Sequence, residues 1–155
     1  LEIIRRTTSR RHVDIRHVLD SEQVQQVQEL VRDVPVADHV ARYALRLVRA
    51  TRRPEAGQED HRPPFIEQYL AWGAGPRASK SLVLAGKARA ILHGRTHVTT
   101  DDIAAVAHPV LRHRLITNYN AEADGIRSDD LVDQLIDATS ADGAGSSAEM
   151  SAVIR

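Results

Sequence analysis

The sequence predicts an all-α protein, a small helical bundle of four to five helices with at most a short strand near residues 116–120. Aromatic residues make up only 3% of the 155 residues, whereas hydrophobic residues as a whole make up 42%. This composition suits helices that pack through aliphatic side chains better than it suits an aromatic-rich β-sandwich. Several segments also repeat apolar residues at intervals of three and four, which is typical of amphipathic helices.

The first two predicted helices follow a charged arm. Residues 1–20 show little periodicity. From Ser21, a suitable N-cap residue, apolar side chains recur at helical spacing as far as Val31. A second helix is predicted over residues 37–53. The apolar side of that second helix consists of Val40, Ala44, Leu47 and Val48.

The middle of the chain predicts a loop, a turn and the longest helix. Residues 54–64 are dense in charge, Gly and Pro, which predicts a loop. Residues 65–72 predict a short helical turn. The third long helix is expected to run from Pro76 to about His93, because Gly94 suits the left-handed position that follows a helix.

The elements predicted after this helix are shorter. Thr99 or Thr100 is expected to cap a fourth helix, and Asp101 and Asp102 suit the positive end of its dipole. Pro109 is expected to interrupt the fourth helix, because proline removes a backbone donor and clashes with the preceding turn. The fourth helix therefore consists of two parts.

The C-terminal part predicts one more helix and a tail. Ser128 begins a small helix, and the Gly, Ala and Ser composition from Ser140 onward is typical of disorder. The predicted organisation has three parts: an arm over residues 1–20 that continues from a truncated upstream domain, a helical domain over residues 21–138, and a disordered tail over residues 139–155.

Charge and composition exclude several classes of function. Lys+Arg and Asp+Glu each total 21, so overall charge attracts neither nucleic acid nor a membrane. The lack of cysteine excludes disulfides, thiolate zinc sites and Cys nucleophiles. No apolar run reaches the roughly 18 residues of a membrane span, and no signal peptide is visible. We therefore expect a cytoplasmic protein with no membrane partner, and the start at Leu1 instead of Met suggests a piece of a longer chain.

The start of the third helix is the candidate binding site. The segment GAGPR places Arg77 directly after Gly75 and Pro76. The first N–H groups of a helix are unsatisfied and carry partial positive charge, which favours anions. Pro76 sets the first turn without removing a needed donor, and the guanidinium of Arg77 is a permanently charged fork that matches phosphate oxygens.

Two interpretations of Arg77 stay open on local chemistry. On a helical wheel, Leu84, Ala88 and Ile91 lie within roughly 40° of Arg77, so we expect the side chain to point along the packed side of its helix. A buried and unpaired guanidinium would cost several kcal/mol. The partner is therefore either a carboxylate of a neighbouring helix, which makes Arg77 structural, or a phosphate.

Four short motifs resemble one known family, the MoxR-type AAA+ ATPases. The family has a Gly-Ala-Ser-Pro-Arg-Ala segment, a helix ending in Gly-Arg, a Val-x-x-x-Asp helix start and a Leu-x-His-Arg segment, all in its C-terminal lid. The matching residues here are Gly73, Ala74, Pro76, Arg77, Ala78, Gly94, Arg95, Val98, Asp102, Leu111, His113 and Arg114. RYALRLVRATR, residues 42–52, also resembles the preceding helix, and the resemblance covers roughly residues 16–138. Gly75 departs from the pattern, since the family usually has Ser there.

The resemblance implies a role for each part of the site. Arg77 would be the sensor 2 arginine, supported by Gly75 and Pro76, and would reach the phosphates of ATP. ATP and Mg²⁺ would be bound mainly by a separate upstream α/β nucleotide-binding domain, so no cofactor is expected in this chain by itself. The parent protein would be an ATP hydrolase that works as a homo-oligomeric ring, such as a hexamer. Its partners would be remodelled proteins, among them von Willebrand factor A-type proteins.

The chain by itself is not expected to be an enzyme. Gly86 and Lys87 look like the end of a phosphate loop, but Ser81 stands where that loop needs Gly, and Ala88 stands where it needs Ser or Thr. No acidic strand end suited to magnesium is evident either. We therefore expect no catalytic residue in this fragment.

A basic helix face supports an alternative function. Arg42, Arg46 and Arg49 repeat at helical spacing, which indicates a solvated face, a subunit contact or a binding surface. The alternative is a stand-alone helical module that binds nucleic acid or protein through helix 37–53, although nucleic acid is not expected because few aromatics are near for base stacking. His113 and Arg114 are candidates for carbonyl capping or subunit contact. No metal site is expected among the histidines.

Overall fold

The computed structural model describes residues 1–8, 16–54 and 62–152, with side chains as far as Ser140. The helices are α1 (Glu2–Thr8), α2 (Ser21–Asp33), α3 (Asp38–Arg49), α4 (Pro64–Tyr69), α5 (Arg77–Leu92), α6 (Thr100–Ala105), α7 (Ala107–Leu111), α8 (Tyr119–Ala123) and α9 (Ser128–Ala152). The strands are β1 (Leu70–Trp72) and β2 (Ile116–Thr117). The predicted all-α class is confirmed. The described ranges hold nine helices, more than the four to five predicted, because several are shorter than the window in which periodicity is visible.

Three of the predicted regions, the arm, the loop after the second helix and the tail, fall partly outside the described residues. The arm over 1–20 contains α1, but positions 9–15 lie outside, and so do positions 55–61 of the predicted loop. The tail over 139–155 lies mostly beyond the described side chains. The arm's link to an upstream domain and the tail's disorder therefore stay predictions.

The chain divides into two compact units, one ending at Leu30 and the other starting at Val31. The first unit contains α1 and most of α2. The cap of α2 is Asp20, not the predicted Ser21, because the Asp20 carboxylate accepts from the Gln23 N–H at 2.8 Å and the Gln23 amide oxygen accepts from the Asp20 N–H at 3.0 Å. Ser and Asp are both favourable N-cap residues, and the hydrogen bonds show that Asp20 takes this position.

The core of the second unit forms around α3. Its buried residues include all four of the predicted apolar side, together with Tyr43. α3 packs against α5, α6 and α9, while α5 also packs against α6 and α7. The core is therefore a layer of helices joined through aliphatic side chains, as the composition predicts.

The packed face of α5 differs from the predicted one. The buried residues are Ala78, Leu82, Gly86 and Ala90, a ridge at four-residue intervals, whereas Leu84 on the predicted side is 44% exposed. A Cβ at Gly86 would lie only 2.8 Å from the Ile103 Cδ1. The small residue at Gly86 lets α5 and α6 approach closely. The packed face of α5 is therefore the ridge that contains Gly86, and not the side where the helical wheel places the large apolar residues.

Lys87 makes a contact with the end of α2. Its Nζ donates to the carbonyl oxygen of Arg32 at 2.6 Å. Gly86 and Lys87, which mimic the end of a phosphate loop, thus have structural explanations in mid-helix. Neither residue is part of a loop that could bind phosphate.

α6 and α7 are the two parts of the predicted fourth helix. Thr99 is the N-cap of α6 and forms a capping box with Asp102. The interruption falls at Val106, three residues before Pro109, so that Pro109 lies inside the short helix Ala107–Leu111. Proline is tolerated in a first turn because its missing N–H would have no helical partner there.

The small antiparallel sheet combines a predicted strand with one that was not predicted. β2 lies where the strand was expected, and it pairs with β1 so that Trp72 is opposite Ile116. The segment 65–72, expected to be a helical turn, is helical only as far as Tyr69. The Asn118 N–H donates to the Tyr69 carbonyl oxygen at 2.9 Å, and the Asn118 side chain caps the unpredicted α8.

Among the described residues, the most extensively paired charge is the fully buried carboxylate of Asp102. Arg95 donates to its two oxygens at 2.6 and 2.5 Å, and Arg89 donates to Oδ1 at 2.5 Å. The N–H and the hydroxyl of Thr99 donate to Oδ2, both at 3.0 Å. These hydrogen bonds, from Arg95 above all, hold the pKa of Asp102 well below its ordinary value. The carboxylate thus joins α5, the loop after it and the start of α6.

None of the helices in the described ranges has the length and hydropathy that a bilayer crossing requires.

We expect Asp102→Asn to destabilise the domain by about 3–5 kcal/mol, because two guanidinium groups lose their charged partner in a buried site. The change keeps the side-chain volume, so packing is preserved. Urea denaturation measures the free energy of unfolding. Asp101→Asn is the matched control: Asp101 is exposed in the same first turn, and its loss should cost about 0.3–1 kcal/mol through the helix dipole. Equal losses for both variants would contradict this account.

The depressed pKa of Asp102 predicts a component of acid sensitivity. A carboxyl whose pKa is lower folded than unfolded stabilises the fold above the unfolded value of about 3.9, and that contribution is lost as the pH falls below it. The wild-type free energy of unfolding should therefore fall more steeply between about pH 4 and pH 2 than that of Asp102→Asn. Denaturation curves recorded across this range test the point, and parallel profiles would contradict it.

Candidate functional site

The candidate site is the start of α5, where Arg77 is the first residue of the helix. The Arg77 side chain is exposed, because the side of α5 that it shares with Leu84 is not the packed side of the helix. The structure gives its guanidinium no hydrogen bond or ion pair with any described residue. The interpretation of Arg77 as a carboxylate-bound structural residue therefore has no support in the described ranges.

The backbone before Arg77 is fixed against the end of α3. A Cβ at Gly73 would lie 1.9 Å from the carbonyl oxygen of Thr51, so only glycine fits there. The next residue, Ala74, is buried and donates its N–H to the Thr51 hydroxyl at 3.0 Å. Thr51 lies within residues 42–52, the stretch that resembles the helix before the lid motif, but no motif marks it as a site residue. Its contact joins residues 23 positions apart, so spacing along the sequence does not indicate it.

Gly75 and Pro76 form a short open segment between two anchored positions. A Cβ at Gly75 would meet nothing within 4 Å, so the serine that is usual in MoxR-type lids fits this space. Pro76 is the N-cap residue of α5, and no side chain caps the helix. The Ala78 N–H donates to the Gly75 carbonyl oxygen at 2.9 Å, and the Ala78 side chain is buried. Arg77 thus lies next to a fixed residue, with its own side chain in solvent.

The three candidate arginines of α3 are all exposed. Arg42 lies 3.9 Å from Asp38, in a pair whose two side chains are both mostly exposed, so it contributes little stability. The Arg46 guanidinium lies 5.9 Å from the centre of the Tyr43 ring. Arg49 has no ion-pair partner among the residues that the structure describes. The face remains available for contact with another molecule, and its use as a subunit contact stays a prediction.

His113 and Arg114 lie after α7. The Arg114 guanidinium donates to the Val110 carbonyl oxygen, which confirms the capping interpretation for this residue. The same Nη1 lies 2.5 Å from Nε2 of the exposed His113. A subunit contact through this pair stays a prediction.

His108 has a structural role that the sequence analysis missed. Its Nε2 lies 2.8 Å from Asp133 and its Nδ1 lies 3.4 Å from Asp129, so the imidazole connects α7 to α9. Arg112 adds a contact of 3.1 Å to Asp129. Within the described ranges, no group of three or more His, Asp or Glu side chains has an arrangement that could hold a metal ion.

Comparison with known proteins identifies the helical unit. Residues 65–135 match the family model of the AAA lid domain. Chaperone MoxR1 of Mycobacterium tuberculosis is 32% identical over 122 residues, which are 78% of this chain and 31% of that protein. Protein MoxR of Paracoccus denitrificans is 34% identical over 97 residues, which are 63% of this chain and 28% of that protein.

A solved structure agrees with these matches. The crystal structure of a candidate ATPase from Cytophaga hutchinsonii aligns with a TM-score of 0.73 and 29% identity, over 87% of this chain and 40% of that one. The chain spans about a third of the length of the curated relatives it matches.

Fold and matches together define the class of protein as an AAA lid domain. The chain belongs to the MoxR-like AAA+ family and is its helical lid. The resemblance seen in the sequence motifs is thereby confirmed for the family and the fold.

The two glycines before Arg77 should respond differently to the same added methyl group. Gly73→Ala is expected to lose about 2–3 kcal/mol, because the new Cβ would overlap the Thr51 backbone, which cannot move without disturbing the end of α3. Gly75→Ala is the matched control and should stay within about 0.5 kcal/mol of the wild type. Chemical denaturation measures both. Comparable losses would mean that Thr51 does not fix this segment.

Proposed function

We propose that this lid contributes Arg77 as a phosphate-sensing arginine to ATP that is bound mainly by a separate α/β domain of the same protein. One observation carries the proposal: Arg77 is an exposed arginine, without a described partner, at the first residue of a helix. A surface arginine needs no ligand by itself. Here the contacts that fix the backbone before Arg77 do not involve the Arg77 side chain. The guanidinium is therefore available to bind a ligand.

The chemistry of arginine fits this role. A guanidinium stays charged at all physiological pH values and matches phosphate oxygens with two parallel hydrogen bonds. Phosphoryl transfer spreads negative charge over the oxygens of the transferred group, and a placed cation stabilises that charge. Arg77 would therefore promote hydrolysis and would also couple the state of the nucleotide to the angle of the lid.

The remaining parts of the ATP site would come from outside this chain. Asp102 is buried and fully used by two arginines and a threonine, so it is not available to a magnesium ion. The GK pair at Gly86 and Lys87 lies in mid-helix. ATP and Mg²⁺ would therefore bind to an upstream nucleotide-binding domain, with Arg77 completing the phosphate contacts.

The family membership also supports a proposal about assembly. One relative is named a chaperone, and we propose that the parent protein remodels partner proteins as a homo-oligomeric ring, such as a hexamer. The exposed arginines of α3 and the His113–Arg114 pair are the candidate subunit contacts. A von Willebrand factor A-type partner and a cytoplasmic location are what the sequence resemblance implies. The alternative of a stand-alone binding module that uses α3 is disfavoured, because the lid-domain match covers residues 65–135, which lie outside that helix.

We expect Arg77→Ala, in the protein that joins this lid to its nucleotide-binding domain, to lower the rate of ATP turnover about a hundredfold. The substitution removes an exposed side chain, so the melting temperature should change by less than about 2 °C. Turnover is measured by phosphate release and melting by calorimetry.

Lys80→Ala is the matched control for Arg77→Ala, because Lys80 is an exposed cation one turn further along α5. It should leave turnover near the wild-type rate. Wild-type turnover in Arg77→Ala, or unfolding of the lid by that change, would refute the proposed role.

A further inference from the structure

We propose that Thr51 is a positioning residue for Arg77, so that its hydroxyl sets the place of the arginine without touching the nucleotide. The inference rests on the proposed function, because it assigns a second residue to the same site. Its basis is a contact between the end of α3 and the segment before α5, two parts of the chain that belong to different sequence motifs.

The Thr51 hydroxyl is buried and uses both of its hydrogen-bonding capacities. The residue is only 3% exposed. Its Oγ1 donates to the Val48 carbonyl oxygen at 2.7 Å, which closes the end of α3, and it accepts from the Ala74 N–H at 3.0 Å. A buried backbone N–H needs such an acceptor, since an unmet donor is costly. The acceptor for the Ala74 N–H is thus a side-chain hydroxyl and not a backbone carbonyl of a helix or sheet.

A comparison with Thr139 shows that this use is particular to Thr51. Thr139 is also buried, at 5% exposure, but its hydroxyl donates to the carbonyl oxygen of Leu135 in its own helix. That bond is the ordinary one for a threonine inside a helix. The Thr51 bond instead crosses between two elements, so its loss would change the position of one relative to the other.

Steric contact acts on the same segment. The Gly73 backbone lies against the Thr51 carbonyl and leaves no room for a Cβ. Contact at Gly73 fixes how close the segment comes to α3, and the hydrogen bond at Ala74 fixes its direction. Only Gly75 and Pro76 then separate Ala74 from Arg77, and proline allows little change in φ. The Arg77 backbone is therefore held from both sides, by Thr51 through Ala74 and by the buried Ala78 within α5.

The geometry predicts a specific effect on catalysis. A small displacement of a charged group from its productive place lowers the rate strongly. Thr51→Val keeps the shape of the side chain and removes the hydroxyl, so the Ala74 amide loses its acceptor and the segment is free to shift. The loss should appear in kcat more than in KM, because Arg77 is proposed to act on charge that develops in the transition state.

The test compares variants of the complete ATPase that carries this lid. Thr51→Val should lower kcat about tenfold, and Thr51→Ser, which restores the hydroxyl, should stay within about twofold of the wild type. Thr139→Val, a control for loss of a buried threonine hydroxyl, should leave kcat unchanged. The double variant Thr51→Val/Arg77→Ala should be no slower than Arg77→Ala, because Thr51 acts only through the arginine.

The outcomes separate this inference from the proposed function. Normal kcat in Thr51→Val together with low kcat in Arg77→Ala would overturn the role of Thr51 and leave that of Arg77. Losses that multiply in the double variant, or an equal loss in Thr139→Val, would also overturn the role of Thr51. Normal kcat in Arg77→Ala would remove both. Hydrogen exchange of the wild-type Ala74 amide needs no variant: it should be protected, and rapid exchange would contradict the inference.

Discussion

The buried carboxylate of Asp102 is the interaction on which the arrangement of the helices depends. Arg89 extends from α5, Arg95 from the loop that follows, and Thr99 from the cap of α6. One charged group therefore fixes the turn between the two helices that form the centre of the lid. Because the carboxylate is fully buried, the loss of any of these donors would leave a buried charge less well paired, which is costly.

The opposite end of α5 is held in another way, by uncharged contacts. Gly73 and Ala74 rest on Thr51, and Ala78 is buried at the start of the ridge that packs on the core. α5 is thus anchored near both ends, but its arginines differ: Arg89 pairs with Asp102, as does Arg95 just after the helix, whereas Arg77 has no partner among the residues that the structure describes. An exposed cation on a fixed backbone is well suited to a ligand supplied by another domain.

Local patterns predicted where α2, α3 and α5 lie, and in α3 the spacing of the apolar residues also predicted which side faces the core. The packed face of α5 was wrong, since the wheel weighted large apolar residues, whereas close approach at Gly86 selected the small ones. β1 was missed because its pairing joins residues nearly fifty positions apart. α8 was missed because it has only five residues, which is shorter than the window in which periodicity is visible. For the site, the motif drew attention to Arg77, which the structure places at the first residue of α5. Neither the exposure of Arg77 nor the support from Thr51 follows from residue spacing, because both arise from packing between elements.

The most direct test of the central claim is a structure of the parent ATPase with a non-hydrolysable ATP analogue and Mg²⁺ bound. The account predicts that the Arg77 guanidinium lies within hydrogen-bonding distance, about 3 Å, of a phosphate oxygen, in its own subunit or a neighbour's. An Arg77 side chain that remained in solvent, or that paired with a carboxylate of another domain while the nucleotide was bound, would contradict it.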